Sequence, residues 1–342
     1  MQTYPMAVIT EPLKIGFEDQ QLMALGPDEV RIRVRYAAIC GSDLHLFKGK
    51  HPSAPLPSAV GHELSGEIAE VGANVSHLSV GDRVTVEPVI TCGACHFCLR
   101  GQYHLCREIS FHYRKGQGAF AEYFTAPGRH VFPLPQSVSL EAGALIEPLS
   151  VALHAVKKAQ PRLGQSSAIF GAGAIGLLTM LLLRKMTRGL AISVDVNDFR
   201  LQKALEFGAT AAMNNAKEEA IEKIFELTDG IGADITVEAV GLAQTLSQAL
   251  ESVRKGGLVT LIGIFENQRP EVPVNLLIQK EITLAGSQGY NWDFQDALAM
   301  LSHSTLPLDS LVSHRFSLKN LQKAFDLLRT PGNQAVKVLI EI

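Results

Sequence analysis

The sequence predicts an α/β protein of two domains, one mainly antiparallel and the other a doubly wound parallel sheet. A chain of 342 residues is long enough for two cores of ordinary size. Over roughly the first 150 residues, short alternating stretches are separated by glycines and prolines. From Val151 onward, helical stretches alternate with short apolar runs, as a parallel sheet covered by helices requires.

The first domain is predicted from four stretches of period-two alternation. Residues 26–39, GPDEVRIRVRYAAI, alternate charged and apolar side chains as a half-buried strand does. Similar runs lie at 64–71, 82–86 and 119–125. Because Gly72, Gly81 and Pro88 punctuate these runs, we expect a barrel or sandwich of short, mainly antiparallel strands.

The second domain is predicted from alternating helices and strands. The predicted helices cover 151–158, 198–207, 218–227 and 243–254. The predicted strands cover 192–194, 235–240, 258–264 and 282–285. After about Gly289 we expect two further helices, at 294–301 and 318–328, and a last strand at 336–340.

A glycine turn after the apolar run 168–170 predicts a dinucleotide site. Gly171, Gly173 and Gly176 would supply a tight turn, close approach to a pyrophosphate, and close packing of helix on sheet. The following helix N-terminus favours negative charge. Asp195 ends the next apolar run about 20 residues on, where a carboxylate binds ribose hydroxyls and repels a 2′-phosphate. We therefore predict NAD rather than NADP, the alternative being a turn that merely packs.

Composition excludes several other kinds of partner. The chain has 31 basic and 34 acidic residues, a net charge of −3 and no basic run, so it lacks the electrostatic footprint of a nucleic-acid or membrane-surface protein. The apolar stretch 168–183 is too short to span a membrane and contains the glycine turn. The N-terminus has no secretory pattern, so we expect a cytoplasmic protein with reduced thiols that acts on a small molecule.

Four of the five cysteines form a cluster that predicts structural zinc. Cys92, Cys95, Cys98 and Cys106 are spaced by three, three and eight residues, so one loop can direct four thiolates at one centre. Two disulfides would be unusual in a reducing compartment. An iron–sulfur cluster usually has a shorter last spacing followed by proline.

The remaining cysteine belongs to a predicted catalytic metal site. A catalytic zinc takes three protein ligands and leaves one position open, and Cys40 and His62 would supply a thiolate and an imidazole. No sixth cysteine exists, so the third ligand has to be a carboxylate. The candidates are Glu63, beside His62, and Glu147, an acid inside an apolar run where an unpaired charge would be costly.

Together these motifs resemble the zinc-dependent medium-chain dehydrogenase/reductase family, in its polyol (sorbitol) dehydrogenase branch. The resemblance rests on CGSDLH at 40–45, GHELSGEIAEVG at 61–72, the four-cysteine lobe, IEPLSVALHAV at 146–156, GAGAIG at 171–176 and SHRF at 313–316. It implies a GroES-like β-barrel catalytic domain at 1–150, completed by 290–342, and a Rossmann NAD-binding domain at 151–289. It also implies a homodimer or homotetramer with two zinc ions per subunit, one catalytic and one structural.

The resemblance also assigns site residues. The catalytic zinc shell would comprise Cys40, His62, Glu63 and Glu147, with each glutamate binding directly or through water. The pyrophosphate and ribose contacts would come from Gly171, Gly173, Ile175, Gly176, Asp195 and Arg200. The nicotinamide side would be lined by Ile262, Gly263, Ile264, Ser287 and Gln288.

The expected reaction is zinc-assisted oxidation of a secondary alcohol of a polyol or sugar derivative, with hydride transfer to NAD. Ser42 and His45, close to Cys40, could pass the proton to solvent, the alternative for His45 being a surface residue without a role. Three anionic ligands would leave the zinc shell net negative, so we expect Glu147 to exchange with water. Leu46 and Gly289 depart from the sorbitol dehydrogenase pattern, which leaves sorbitol itself open as the substrate.

Other activities remain open from sequence. The loop 107–117 carries His112, Arg114 and Lys115, which could recognise a polyol phosphate but are more typical of a solvated loop. An amino-alcohol oxidation like that of L-threonine 3-dehydrogenase would use overlapping motifs. A non-catalytic NAD-binding protein or a zinc-free reductase would be expected to lack the metal-binding residues that this chain retains.

Overall fold

The computed structural model describes residues 3–50, 55–303 and 306–342, which form two compact units. One unit comprises residues up to Glu147 together with Asn291–Ile342, and the other comprises Pro148–Tyr290. Within the described ranges, no helix has the length and apolar character needed to cross a membrane.

The elements follow in chain order. The strands are β1 (Thr3–Glu11), β2 (Lys14–Gln21), β3 (Glu29–Ala38), β4 (Ser58–Ala59), β5 (Glu63–Val71), β6 (Arg83–Val86), β7 (Val89–Ile90), β8 (Ser110–Phe111), β9 (Tyr123–Pro127), β10 (Val131–Pro133), β11 (Ser167–Phe170), β12 (Ala191–Asp195), β13 (Ala211–Asn214), β14 (Ala233–Glu238), β15 (Val253–Leu261), β16 (Thr283–Gly286), β17 (Val312–Ser317) and β18 (Lys337–Glu341). The helices are α1 (Gly41–Phe47), α2 (Leu140–Gly143), α3 (Ile146–Ala159), α4 (Ala174–Thr187), α5 (Asp198–Glu206), α6 (Ala220–Leu227), α7 (Ala243–Ser252), α8 (Val274–Lys280), α9 (Asp293–His303) and α10 (Leu321–Arg329).

The first unit is built around β3, which pairs antiparallel with β5, β9 and β18. The main sheet runs β10-β6-β5-β3-β18-β17, and a smaller sheet runs β2-β1-β4. Alternating residues of these strands, among them Ile32 and Phe124, enter one apolar core with Phe120 and Phe325. The prediction of short, mainly antiparallel strands is confirmed, with β17 and β18 as a parallel exception.

Two details of this unit differ from the sequence-based expectation. The hairpin of β1 and β2 was not predicted, because Pro5, Pro12 and Gly16 interrupt the alternation there. The strand predicted at 119–125 begins only at Tyr123. Residues 119–122 instead hydrogen-bond to three separate segments, and an irregular backbone of that kind is invisible to a period-two pattern.

The second unit contains a six-stranded parallel sheet in the order β13-β12-β11-β14-β15-β16. The order reverses at β11, with β12 on one side and β14 on the other, which is the arrangement that opens a ligand crevice at the carboxyl ends of the strands. The predicted doubly wound parallel sheet is therefore confirmed.

Two boundaries matter for the site. Helix α3 begins at Ile146 rather than at Val151, so Glu147 lies in its first turn. Pro148 is tolerated there because first-turn amides have no intrahelical acceptor. Strand β15 ends at Leu261, so residues 262–264, which the apolar run predicts as strand, form a loop at the carboxyl edge of the sheet.

Candidate active site and cofactor site

Antiparallel pairing of β3 with β5 brings the predicted metal ligands together. Ala38 lies opposite Glu63, so the residues just beyond each strand end, Cys40 and His62, become neighbours. The thiol of Cys40, a ring nitrogen of His62 and a carboxylate oxygen of Glu63 all lie within 4.8 Å of one another. A thiolate, an imidazole and an oxygen at this separation fit the donor set of a zinc ion.

Asp43 orients this cluster, although sequence reasoning did not assign it a role. Its Oδ2 accepts a 2.9 Å hydrogen bond from the Cys40 amide, and its Oδ1 accepts one of 3.2 Å from the Gly61 amide. The same Oδ1 lies 3.5 Å from Nδ1 of His62. Burial by itself would lower the pKa of His62, but Asp43 and Cys40 raise it well above its ordinary value. The surroundings therefore favour positive charge at this position, as a bound cation would supply.

Lys337 is a second residue that sequence reasoning missed. It reaches the cluster from β18 and is buried, and its Nζ donates to both carboxylate oxygens of Glu63, at 2.8 and 2.7 Å. Burial works against the charge, but Glu63 and Cys40 outweigh it and raise the pKa of Lys337. The available signal was a single lysine inside the apolar run AVKVLI.

Glu147 lies beside the cluster but outside the group that meets within 4.8 Å. The residue is only 5% exposed. Burial raises the pKa of its carboxyl group to about 7, while His62 and Lys337 lower it and Glu63 raises it further. The structure thus brings Cys40, His62 and Glu63 together and leaves Glu147 adjacent to them.

Helix α1 carries the two residues predicted to move a proton. Cys40 is its N-cap, and Ser42 and His45 lie three residues apart, so they share one face of the helix. Both side chains are half-buried. On another side of His62, the stacked rings of Phe111 and Tyr113 lie 5.7 and 6.0 Å from the imidazole, centroid to centroid. Neither aromatic residue was singled out from the sequence.

The glycine turn of the second unit fits a dinucleotide. Gly171 has φ +105°, and a Cβ added to Gly176 would lie 1.8 Å from the Gly171 carbonyl oxygen, so helix α4 packs closely on β11. Around Gly173, the N-cap of α4, a Cβ would meet no atom within 4 Å, which leaves open space at the helix N-terminus for phosphate.

Asp195 lies at the end of β12, as predicted. Its Oδ2 accepts a 2.7 Å hydrogen bond from the Ala172 amide in the glycine turn, and its Oδ1 accepts one of 2.9 Å from the Asn197 amide. Each oxygen keeps a further lone pair for a hydroxyl group. Arg200 lies in the first turn of α5. Segments 262–264 and 287–288 follow β15 and β16 at the same edge of the sheet, and Ile175 lies in the first turn of α4.

The four-cysteine lobe forms as its spacing predicts. Its four sulfur atoms lie within 4.8 Å of one another, with 3.6 Å between Cys95 and Cys98 and 3.5 Å between Cys92 and Cys106. These separations are well beyond a disulfide bond, and all five cysteines are free thiols. Four converging thiols fit a closed tetrahedral zinc site.

Comparison with known proteins gives the family. Residues 26–136 match the family model described as alcohol dehydrogenase GroES-like domain, and residues 174–303 match zinc-binding dehydrogenase. The chain is 34% identical to the sorbitol dehydrogenase of Bacillus subtilis strain 168, over 99% of this chain and 97% of that protein. The chain belongs to the zinc-binding dehydrogenases. The resemblance drawn from its motifs is confirmed, as are the GroES-like and Rossmann assignments.

Two further similarities extend this result. The dehydrogenase is 36% identical to the L-idonate 5-dehydrogenase of Vitis vinifera, over 94% of this chain and 90% of that one. It is 29% identical to a structure from Sinorhizobium meliloti 1021, described as a zinc-binding dehydrogenase bound to NADP, with a TM-score of 0.93 over 100% of both chains.

The lobe of this dehydrogenase is anchored to the rest of the first unit by side chains that sequence reasoning missed. The hydroxyl of Tyr103 donates to Glu87, whose other oxygen lies 3.0 Å from Nδ1 of His130. The Trp292 amide donates to the Tyr103 hydroxyl at 2.8 Å, and its indole N–H donates to the Gly101 carbonyl at 2.8 Å. These bonds hold an otherwise local loop against the barrel.

The loop 107–117 is solvated only in part: Arg107 and Lys115 are exposed, as expected from sequence, but His112 is not. His112 is buried against Phe124, and burial, with His130 nearby, lowers its pKa to about 4. It therefore offers no positive charge to a phosphate at neutral pH. Lys115 is exposed and lines a polar cavity with Arg31, while the side chain of Arg114 lies outside the described part of the chain.

Leu46, a departure from the sorbitol dehydrogenase pattern, is 2% exposed and belongs to the apolar core of the first unit. Its side chain packs beneath the surface of the domain. At this position the side chain contributes to core packing.

Proposed function

We propose that this dehydrogenase oxidises a secondary alcohol of a polyol or related sugar derivative to a ketone, using NAD and two zinc ions per subunit. The observation that carries the proposal is the buried meeting of Cys40, His62 and Glu63 within 4.8 Å, backed by Lys337. Similarity to a sorbitol dehydrogenase and an L-idonate 5-dehydrogenase supports this substrate class.

The residues present fit this chemistry. Zinc held by Cys40, His62 and a carboxyl group would act as a Lewis acid on the substrate hydroxyl, and NAD would accept the hydride. Asp43 accepts a hydrogen bond from the Cys40 amide, and its carboxylate, 3.5 Å from Nδ1 of His62, would help to orient the ring. Cys92, Cys95, Cys98 and Cys106 would hold the second, structural ion.

Lys337 supplies a positive charge that compensates part of the negative charge of three anionic ligands. With Cys40, Glu63 and Glu147 all ionised, one divalent ion alone would leave a net negative centre, which would weaken its pull on an alcohol. The ammonium group of Lys337, 2.7 Å from Glu63, offsets one of the three ligand charges. We infer that the Glu63 carboxylate remains paired with Lys337. Glu147 is then the carboxyl group that exchanges with water at one position of the zinc ion.

A Glu147→Ala variant tests this exchange. We expect zinc to be retained in part, because Cys40, His62 and Glu63 remain, and the rate to fall because water replaces the carboxyl group permanently. Zinc content by mass spectrometry and steady-state rates would be compared with those of Glu141→Ala, a half-buried acid that pairs with Arg315 outside the cluster. Unchanged zinc and unchanged rate in Glu147→Ala would contradict the exchange.

The proton released from the substrate needs a path to solvent. We assign it to Ser42 and His45, which lie on one face of α1 next to Cys40 and are half-buried, so each can exchange with both the interior and the surface. A His45→Gln variant should lower the rate most at low pH, where other acceptors are protonated, and a pH-rate profile measures this.

NAD is proposed over NADP because the Asp195 carboxylate lies where a 2′-phosphate would approach. The similar structure from Sinorhizobium meliloti 1021 is bound to NADP, and this observation argues against the proposal. The test is to measure kcat/KM with NAD and with NADP and to compare the two values. We expect a clear preference for NAD, reduced in Asp195→Ser, and a native preference for NADP would contradict the assignment.

A homodimer or homotetramer is proposed from an exposed apolar surface on the second unit. Val274 and Ile278 of α8 are 58% and 69% exposed, and Leu284 on the edge strand β16 is 37% exposed. An exposed strand edge beside apolar side chains favours association. Analytical ultracentrifugation measures the subunit count.

A cytoplasmic location is proposed because reduced thiols are needed for zinc in the lobe.

A substrate screen tests the activity itself. NAD reduction would be followed with polyols, sugar acids, polyol phosphates and L-threonine, with and without a chelator. We expect polyols or sugar acids to be oxidised and prolonged chelation to remove activity. A Lys115→Ala variant should behave as the parent protein, because Lys115 lines a separate cavity. Oxidation of threonine alone would contradict the proposal and favour the amino-alcohol alternative.

A further inference from the structure

Glu238, the last residue of β14, is fully buried and binds three donors with one oxygen. Its Oε1 accepts hydrogen bonds from the Val240 amide at 2.9 Å, the Gly241 amide at 2.8 Å and the Thr245 hydroxyl at 2.7 Å. Within the described residues, its Oε2 is buried without a hydrogen-bond partner. A buried acid whose bonds all converge on one turn fixes that turn, because losing it leaves buried donors unsatisfied.

The same residue also supports a second loop. Its backbone carbonyl accepts hydrogen bonds from the Ile262 amide at 2.9 Å and the Gly263 amide at 3.2 Å. A Cβ added to Gly263 would lie 2.4 Å from Oε2 of Glu238 and 2.4 Å from the Gly241 amide nitrogen, so the two loops and the carboxyl group are in close contact. Loops 239–242 and 262–264 therefore share one support.

These two loops lie on one side of the glycine turn. A Cβ on Gly171 would lie 2.7 Å from the Val240 side chain, so the first loop packs directly on the turn. Asp195 lies on the other side, at the end of β12. A dinucleotide lies across the point where the strand order reverses, with its adenosine half at the acid. Its nicotinamide half therefore extends over β14 and β15, where the two loops are.

We propose that Glu238 is a positioning residue for the nicotinamide half of the cofactor. It acts through loops 239–242 and 262–264 and does not itself touch the cofactor. The inference rests on the dinucleotide use stated under the proposed function. Loss of its side chain frees two backbone amides and one hydroxyl, so loop 239–242 relaxes. Loop 262–264 keeps its bonds to the Glu238 carbonyl but loses the carboxyl group and the neighbouring loop against which it packs. The glycine turn and Asp195, held by other bonds, remain in place.

Binding of a whole and of a partial cofactor separates this role from a general loss of structure. Dissociation constants for NADH and for AMP, which lacks the nicotinamide half, would be measured for Glu238→Ala, Glu238→Gln and the parent protein. We expect Glu238→Ala to weaken NADH binding by about tenfold or more, with AMP binding within about twofold of the parent. Glu238→Gln should rescue NADH binding, because its carbonyl oxygen can accept the same three hydrogen bonds.

Thr236→Val is the matched structural control. Thr236 lies on the same strand, is fully buried, and donates to the Ala249 carbonyl at 2.9 Å, away from both loops. This variant should lower the melting temperature without changing either dissociation constant. If Glu238→Ala does not fold, Thr245→Val removes one of the three bonds and Thr245→Ser retains it. Only Thr245→Val should then weaken NADH binding, by a few fold.

Three outcomes would overturn the proposal. These are unchanged NADH binding in folded Glu238→Ala, equal weakening of NADH and AMP, and, where only the Thr245 pair can be compared, equal NADH binding in Thr245→Val and Thr245→Ser. A parent protein that binds neither NADH nor AMP would instead refute dinucleotide use itself, which separates failure of the proposed function from failure of the Glu238 assignment.

Discussion

Two regions of the first unit gather metal-binding side chains, and they are built in opposite ways. The four-cysteine lobe takes all its donors from residues 92–106, and most of them are at least partly exposed. The Cys40 cluster is buried and mixed in chemistry, and it depends on Glu147 and Lys337 from distant parts of the chain.

The difference in donors would suit the two tasks proposed for these sites, one structural and one catalytic. Four thiolates close a tetrahedral shell and leave no position for a substrate, so such a site contributes stability. A thiolate, an imidazole and a carboxylate leave one position open, and the surrounding charges then decide how strongly the ion attracts a substrate oxygen. Lys337 would provide that charge control beside Cys40, whereas no lysine or arginine side chain is hydrogen-bonded to the thiols of the lobe among the described residues.

Loss of the Cys40 thiol should have the largest effect of any substitution in either region. We expect Cys40→Ala to lower the rate by about a thousandfold or more, above the 10–100-fold that is typical of changes in residues that only orient ligands. The subunit should lose one of its two zinc ions while the lobe keeps the other. Zinc content and steady-state rates measure this. A variant with two bound zinc ions and near-normal activity would show that the buried cluster is not the catalytic centre.

Breaking the lobe should affect stability rather than chemistry. We expect Cys95→Ser to remove the other zinc ion and to lower the melting temperature of the first unit by about 10 °C, roughly 4 kcal/mol for a unit of about 200 residues. The rate, measured at low temperature where the variant is folded, should stay within a few fold of the parent. Loss of activity in a fully folded variant would show that the two regions are coupled and would remove the contrast between them.

The sequence predicted the lobe completely but predicted only part of the buried centre, for a physical reason. The lobe is local, so spacing alone determines which thiols meet. The glycine turn and Asp195 are similarly local, since one β-α-β unit contains them. Cys40, His62 and Glu63 were found from residue chemistry, and pairing of β3 with β5 confirms that they meet.

The residues that were missed act only through tertiary contacts. Lys337 lies 274 positions from Glu63 in sequence, and only the pairing of β18 with β3 brings them together. Asp43 was present in a quoted motif, but its bonds to Cys40 and Gly61 cannot be read from spacing. His112 was misjudged because a basic loop and a buried histidine have the same local sequence, and only packing against Phe124 distinguishes them.

His112 allows a test of the stability of the barrel, because it lies between the Cys40 cluster and the residues that anchor the four-cysteine lobe. Its neighbour Tyr113 contacts His62 of the buried cluster, and nearby His130 bonds to Glu87, which anchors the lobe. Burial lowers the pKa of His112 to about 4. In the unfolded chain the same group binds a proton below about pH 6.5, so the unfolded state takes up more protons between pH 6.5 and 4.

Stability should therefore be fully present above pH 6.5 and fall as the pH drops toward 4, with His112 contributing up to about 3 kcal/mol. His112→Phe keeps a ring against Phe124 and removes the titration, so its free energy of unfolding should decline less with acid than that of the parent. Denaturant titrations at pH 7 and pH 4.5 measure the difference. Equal declines in both proteins would contradict the assignment.

Substitution of Lys337 tests the difference between the Cys40 cluster and the four-cysteine lobe with the smallest change. It alters the charge around the first site and leaves the proposed metal ligands in place. In Lys337→Met, Glu63 would be buried without its counter-charge, so the centre would be more negative by one charge and would attract the substrate oxygen less. We expect the rate to fall by about 10–100-fold, with the zinc of the lobe unchanged.

Two controls complete this test. Lys337→Arg retains the positive charge and should recover part of the rate, although its planar group fits the space of an ammonium imperfectly. Lys280→Met removes a lysine that caps α7 through the Glu251 and Val253 carbonyls, and should cost stability without changing the rate. If Lys337→Met kept a normal rate, the positive charge of Lys337 would not be what distinguishes the Cys40 cluster from the four-cysteine lobe. The choice of donor atoms alone would then have to explain the difference between the two sites.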